Sequence, residues 1–127
     1  MSRISDAWNK ALNRGLTAFK RISTASTNAA VIKAEPGRFL GYYVSNTNAA
    51  ARYVKFYDKA TAPTVGTDTP LLSYMVPGAT TGGGASQNFV PGVRFSAGIS
   101  MATTTGAADA DTGEVAANEV IVNVVYS

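Results

Sequence analysis

Apolar and polar positions alternate with a period of two through much of this chain. Arg52–Lys59 sets Val54 and Phe56 on one side and Tyr53, Lys55 and Tyr57 on the other, the pattern of a half-buried strand. Val93–Met101 alternates Val93, Phe95, Ala97 and Ile99 against Arg94, Ser96, Gly98 and Ser100, which predicts a second such strand. Two segments have no polar side. In Arg38–Ser45, Leu40, Tyr42 and Val44 form one face and Phe39, Gly41 and Tyr43 the other. In Glu119–Tyr126, Val120, Val122, Val124 and Tyr126 oppose Ile121 and Val125. A strand without a solvent face must be covered twice, by its own core and by something else.

Shorter strands are expected at Ala30–Glu35, Pro70–Val76 and Gln87–Val90, closed by Pro36-Gly37, Pro77-Gly78 and Pro91-Gly92. Ala60–Thr69, the Gly82-Gly83-Gly84 segment and residues 102–118 read as loops. Residues 38–59 hold six of the eleven Phe and Tyr residues, in two β-rich runs joined by Asn46-Thr47-Asn48-Ala49-Ala50-Ala51, so a hairpin or a short crossover is expected there. The expected fold is mainly β: an antiparallel β-sandwich or jelly roll of about seven or eight strands. An immunoglobulin core is disfavoured, because cysteine is absent and the single Trp lies near the N-terminus.

Only the N-terminal segment departs from this period. Trp8, Leu12, Leu16 and Phe19, with Ile22 one turn further, fall on one face of a helix behind a Ser5 cap, while Lys10, Arg14, Lys20 and Arg21 lie mostly off that stripe. Gly15 weakens the helix at its centre. The expectation is an amphipathic helical arm and linker over 1–28 and a β-sandwich domain over 29–127. Such a short helix needs a partner surface: its own domain, another subunit, or a membrane or nucleic acid. An amphipathic, basic, Ser-containing N-terminus also fits a transit peptide.

Charge sharpens that division. The net charge is +3, but residues 1–38 carry seven basic against two acidic residues, and residues 39–127 carry four against six. This is a basic arm on a near-neutral body. Charged residues make up 15% of the chain, against ~25% in an ordinary soluble domain, and assembly into something larger accounts for the deficit. No stretch reaches the ~20 apolar residues of a membrane span.

With no Cys and no His, disulfides, thiolate chemistry, the familiar catalytic triads and the usual zinc ligands are excluded. No spacing nominates a catalytic pair, and no cofactor is expected. Gly82-Gly83-Gly84 lacks the Lys-Ser/Thr and the helix of a phosphate loop. Asp109 and Asp111, in DADTGE, have the spacing that opens a calcium loop, but no distant Glu completes it, so a solvated acidic loop is the plainer reading.

The segments GYYVSNTNAAARYVKFYDKATAPTVGTDTP (41–70), VPGVRFSAGISMATTTGAADAD (90–111) and EVIVNVVY (119–126) resemble the small β-rich virion proteins encoded among the structural genes of tailed bacteriophages. The resemblance covers about three quarters of the chain and excludes the arm. It implies a structural virion protein without catalytic residues, either a capsid decoration (cement) protein or another head or tail component. The implied partners are the major capsid protein or other virion subunits, and the chain would be a homo-dimer or homo-trimer, assembled in the host cytoplasm, with no specific nucleic acid and no membrane. On this reading Trp8, Lys10, Leu12, Arg14, Leu16, Phe19, Lys20 and Arg21 form a tether, and Phe39, Tyr43, Tyr53 and Tyr57 line a contact face. The alternative is a tail, neck or fibre component, a carbohydrate- or receptor-binding module in which Tyr42, Tyr43, Tyr53 and Tyr57 make a stacking platform.

Overall fold

The computed structural model describes residues 15–127. They form eight strands: β1 (Thr17–Ile22), β2 (Ala30–Lys33), β3 (Gly37–Asn46), β4 (Arg52–Asp58), β5 (Leu72–Val76), β6 (Gly84–Phe95), β7 (Ile99–Thr104) and β8 (Val120–Tyr126), with one turn of 3-10 helix at Ala79–Thr81. All pairings are antiparallel, in two four-stranded sheets ordered β1-β8-β3-β6 and β2-β7-β4-β5. Strand β1 pairs with β8, β2 with β7, β3 with β6 and β4 with β5, so the chain runs out and back as one long ribbon, wound so that its two halves face each other. Among the described residues no helix is long and apolar enough to cross a membrane.

The expected helix does not extend past Gly15. Residues 17–22 are strand β1, in register with β8 from Thr17↔Tyr126 to Ile22↔Ile121. Leu16, Phe19 and Ile22 have helical spacing, but Phe19 gains more by lying opposite buried Val124 than a short helix could supply. Gly15 itself sits at φ 57°, outside the helical region. The domain boundary expected at residue 28 is therefore displaced, because β1 is an integral strand of the sandwich. Trp8, Lys10, Leu12 and Arg14 lie outside the described residues.

The 38–59 stretch is a crossover, not a hairpin: β3 and β4 belong to different sheets. Its Asn cluster makes the turn, with Asn46 Oδ1 accepting from Asn48 N–H and Asn48 Oδ1 from Ala50 N–H. The Asn46 amide also donates to the carbonyls of Ala50, Val76 and Pro77, tying the crossover to the end of β5.

Within β3 the simple alternation slips at Leu40. Successive residues Tyr126 and Val125 of β8 face Phe39 and Gly41, leaving Leu40 as a bulge. The slip puts Phe39, Tyr42 and Val44 on the inner face together, where Phe39 meets Phe56 of the opposite sheet at 4.6 Å between ring centres. Around this contact lie Val54, Val76, Phe95, Ile99, Met101, Val120, Val122 and Val124, all buried. The segment expected as one strand over 93–101 is two. Ser96-Ala97-Gly98 turns the chain between sheets, held by Asp58, whose carboxylate accepts from the N–H groups of Ser96, Ala97 and Gly98 and from the Ser96 hydroxyl. Burial alone would raise the Asp58 pKa, but these hydrogen bonds together leave it below its ordinary value.

Candidate functional site

The outer faces of the two sheets differ. On the second sheet, the outward residues Lys55, Ser100 and Thr104 are fully buried, as is Ala102. Loops 59–71 and 105–119 fold over them. Lys55 Nζ donates to the Ala108 carbonyl at 2.5 Å, and the Thr104 hydroxyl to the Gly106 carbonyl. Burial lowers the Lys55 pKa, partly offset by the charges of Asp111 and Asp109. Tyr57 is buried here too, its hydroxyl without a hydrogen-bond partner. Its pKa is raised by burial first and then by the negative charges of Asp68 and Asp109.

On the first sheet no described loop covers the outer face. Strand register arranges it in three rows across β1, β8, β3 and β6: Ala18-Val125-Gly41-Asn88, Lys20-Asn123-Tyr43-Ser86 and Ile22-Ile121-Ser45-Gly84. Lys20 is the one charge in these three rows, and beyond the Leu40 bulge the exposed pair Arg38↔Arg94 borders them on the same face. Tyr43 stands 60% exposed at its centre and Ile22 is 44% exposed at a corner. Because Gly41 has no side chain, a shallow hollow of about 200 Å³ opens beside Tyr43, bordered by Ser86, Asn88, Asn123 and Val125. The Asn88 amide leans over Gly41, with its oxygen 2.7 Å from where a β-carbon would sit. At strand spacings of ~4.8 Å and row spacings of ~6.8 Å, the grid with its side-chain margin covers on the order of 400 Å². The surface is flat, largely apolar or small, and almost uncharged, which suits a protein contact.

Of the residues expected at a contact face, only Tyr43 is on this one. Phe39 is a core residue, because the Leu40 bulge turns it inward. Tyr57 is sealed under the loops of the other sheet, where Tyr53 lies half-buried between Thr104 and Met75. The expected four-tyrosine platform is corrected for the same reasons, since Tyr42 packs inward at 4.4 Å from Tyr74 and beside Phe89. Burial raises the pKa of Tyr42 and of Tyr74. Of the arm residues, Leu16 is exposed just ahead of β1, Phe19 packs on the core and Lys20 is in the grid. Arg21 is held by Asn28 Oδ1 through Nε and Nη2 at 3.2 Å each.

Asp111 is a loop staple, accepting from Gly106 N–H and Gly113 N–H through Oδ1. The Lys55 ammonium supplies positive charge near Asp109 and Asp111. Among the described residues no group of three or more acidic, His or Cys side chains converges on a metal position. The contributors missed from the sequence are Asn88 and Asn123; Gly41 was placed on one face with Tyr43, and Ile22 was assigned to the helical stripe instead. Ile121 and Val125 were signalled by the two-sided apolar pattern of β8.

Comparison with known proteins gives no matching family, no similar curated protein and no similar solved structure.

Proposed function

We propose that this is a structural virion protein of a tailed bacteriophage, a capsid decoration or cement protein that binds the head through the bare face of its first sheet. The observation that carries the reading is the asymmetry between the centres of the sheets: loops roof the central strands of one, leaving Val31 and Met75 exposed on its edge strands, and the other presents Tyr43, Ile22, Ile121 and Val125 in a grid with a single charge. The nested pairing of β1 with β8 through to β4 with β5 is, on this proposal, a jelly roll, an architecture used by viral capsid proteins among others. The role is mechanical rather than catalytic.

Area supports a combined contact. The grid supplies on the order of 400 Å², about half of the ~800 Å² per partner in a standard interface. The N-terminal segment, with Trp8, Lys10, Leu12 and Arg14, continues into β1 beside this grid, and as a tether it adds apolar area and positive charge for an acidic shell surface. Self-association as a dimer or trimer supplies the remainder.

The test is binding to heads assembled without the protein, measured by co-sedimentation. The full chain should bind in a copy number matched to the shell's subunits. Tyr43→Ala with Val125→Ser, and separately deletion of residues 2–14, should each lower occupancy at a fixed concentration while the thermal melt is retained. Absence from heads, or a few copies confined to the tail, would overturn the reading. Deletion through residue 22 is the wrong experiment, because it removes strand β1.

A further inference from the structure

Among the described residues β6 is one of the two edges of the first sheet, and its hydrogen-bonding phase can be read from one contact. Asn46 N–H donates to the Gly83 carbonyl at 2.6 Å. Antiparallel pairs alternate, so at Val44↔Ala85 and Tyr42↔Gln87 the β6 backbone faces β3, and at Gly84, Ser86 and Asn88 it faces away from the sheet. Beyond Asn88 the strand leaves this line. Phe89, Val90, Pro91 and Gly92 stand opposite the single bulged residue Leu40 before pairing resumes at Val93↔Phe39. The outward-facing ladder is thus Gly84–Asn88, bounded by a glycine turn on one side and this excursion on the other.

We propose that this edge pairs with the same edge of a second copy of the chain, antiparallel about a two-fold axis at Ser86. The two first sheets then join into one continuous sheet. This deepens the self-association in the function proposed above, and does not depend on the virion part of that reading.

Charge and length both favour a second copy as the occupant. An isologous contact brings identical residues together, so an edge that carries charge repels itself. The outward ladder Gly84–Asn88 has no charged residue, the one charge of β6, Arg94, lying beyond the excursion, whereas β1, the other edge of this sheet, carries Lys20 and Arg21 within its paired length. Within the five residues 84–88, the two-fold register that uses every outward backbone group is centred on Ser86, with Gly84 of one copy opposite Asn88 of the other. It forms ~6 backbone hydrogen bonds. The exposed bond from the Gln87 amide to the Asn88 carbonyl, 3.2 Å in the single chain, gives way to the second copy's Gly84 N–H. The two bare grids come to lie side by side on one surface, which doubles the area offered to a larger partner.

Sedimentation of the full chain over a concentration series, with Ser86→Pro and Ser86→Lys, tests the proposal. The Ser86 N–H points away from β3, so proline there leaves the β3–β6 ladder intact, and lysine sets two ammonium groups face to face across the axis. The wild-type chain should show a monomer–dimer equilibrium that both variants weaken by about tenfold or more, with thermal melts close to wild type. In addition, the chain has no native cysteine, and a Ser86→Cys pair across the axis has a Cα separation near ~5.5 Å, within disulfide range. Mild oxidation should convert it to covalent dimer much faster than Ala62→Cys, placed on an exposed loop of the other sheet. A wild-type chain that is monomeric throughout, a dimer unaffected by Ser86→Pro, or equal crosslinking of the two cysteine variants would overturn the proposal.

Discussion

Replacing Phe39 and Tyr43 separately by alanine tests which way β3 faces. A strand without a bulge would put these two residues, four apart, on the same side. The Leu40 bulge puts Phe39 in the core at 0% exposure and leaves Tyr43 60% exposed on the outer grid. Phe39 packs against Phe56, Phe89, Phe95 and Tyr42 at ring separations of 4.6, 5.7, 6.0 and 6.3 Å. Truncating a buried Phe costs about 3–5 kcal/mol, and aromatic pairing adds to burial, so the upper part of that range, about 4–5 kcal/mol, is expected. A domain of this size has about 5–15 kcal/mol in total. At an unfolding entropy of about 2.1 cal/mol/K per residue, the melting temperature should fall by roughly 15–20 °C.

Tyr43→Ala removes mainly solvent-facing area and should stay within about 0.5 kcal/mol of wild type, a shift of roughly 2 °C or less. Urea and thermal unfolding followed by circular dichroism measure both. A Phe39→Ala loss below about 1.5 kcal/mol, or losses of similar size for the two variants, would refute the bulge as the cause of their different environments.

Two further outcomes follow from buried polar groups. Glu119 accepts from Arg52 Nε at 2.9 Å, from the Asn48 amide and from Ala116 N–H. Burial alone would raise its pKa, but these bonds and the Arg52 charge together lower it. The folded state therefore releases this proton more readily than the unfolded one, and the associated stability is full above about pH 4.3 and lost as pH falls through the folded value. Glu119→Gln should cost about 3 kcal/mol at pH 7 and flatten stability against pH below about pH 4.3, measured by urea midpoints; an unchanged acid slope would contradict this. Tyr57→Phe deletes a buried hydroxyl that has no hydrogen-bond partner, so stability should be unchanged or up to about 1 kcal/mol higher; a loss above about 1 kcal/mol would show that the hydroxyl is bonded in solution.

The parts of the fold legible in sequence were those whose cause is local. Strand β8 reads correctly on both faces, because Val120, Val122 and Val124 do pack inward and Ile121 and Val125 outward. The Asn46–Ala51 turn was equally plain, since Asn side chains bond their own backbone there. What was lost has non-local causes. Nothing at Leu40 marks a bulge; its partner is the glycine-bearing excursion 89–92, some fifty positions away. The turn at 96–98 is hidden because Phe95 and Ile99 are both inward, so the alternation runs through it unbroken. Its organising carboxylate, Asp58, comes from another strand. Strand β1 reads as helix from sequence because Leu16, Phe19 and Ile22 recur every three residues, a spacing that a strand splits between its two faces, and only pairing with β8 overrides it.

The bare face was encoded only in part in the loop lengths. The long connections, 59–71 and 105–119, leave the ends of β4 and β7, which pair with each other at the centre of the second sheet. Of the connections that join the two sheets, 23–29, 34–36, 47–51, 77–83 and 96–98 are too short to cross four strands and cover the first one, and 105–119, which runs from β7 to β8, folds over the second. Sheet membership assigns 59–71 to the second sheet, since it joins β4 to β5, but leaves 105–119, between β7 and β8, free to cover either. Period-two alternation alone cannot supply that membership, because inward residues of both sheets look alike. The buried lysine is the exception that could have been read. Lys55 lies between Val54 and Phe56 in a strand whose outward neighbours are two tyrosines. A lysine on such a face has its stem covered by other side chains, and its ammonium needs an acceptor above it. The carbonyl of Ala108, in the acidic loop, is that acceptor.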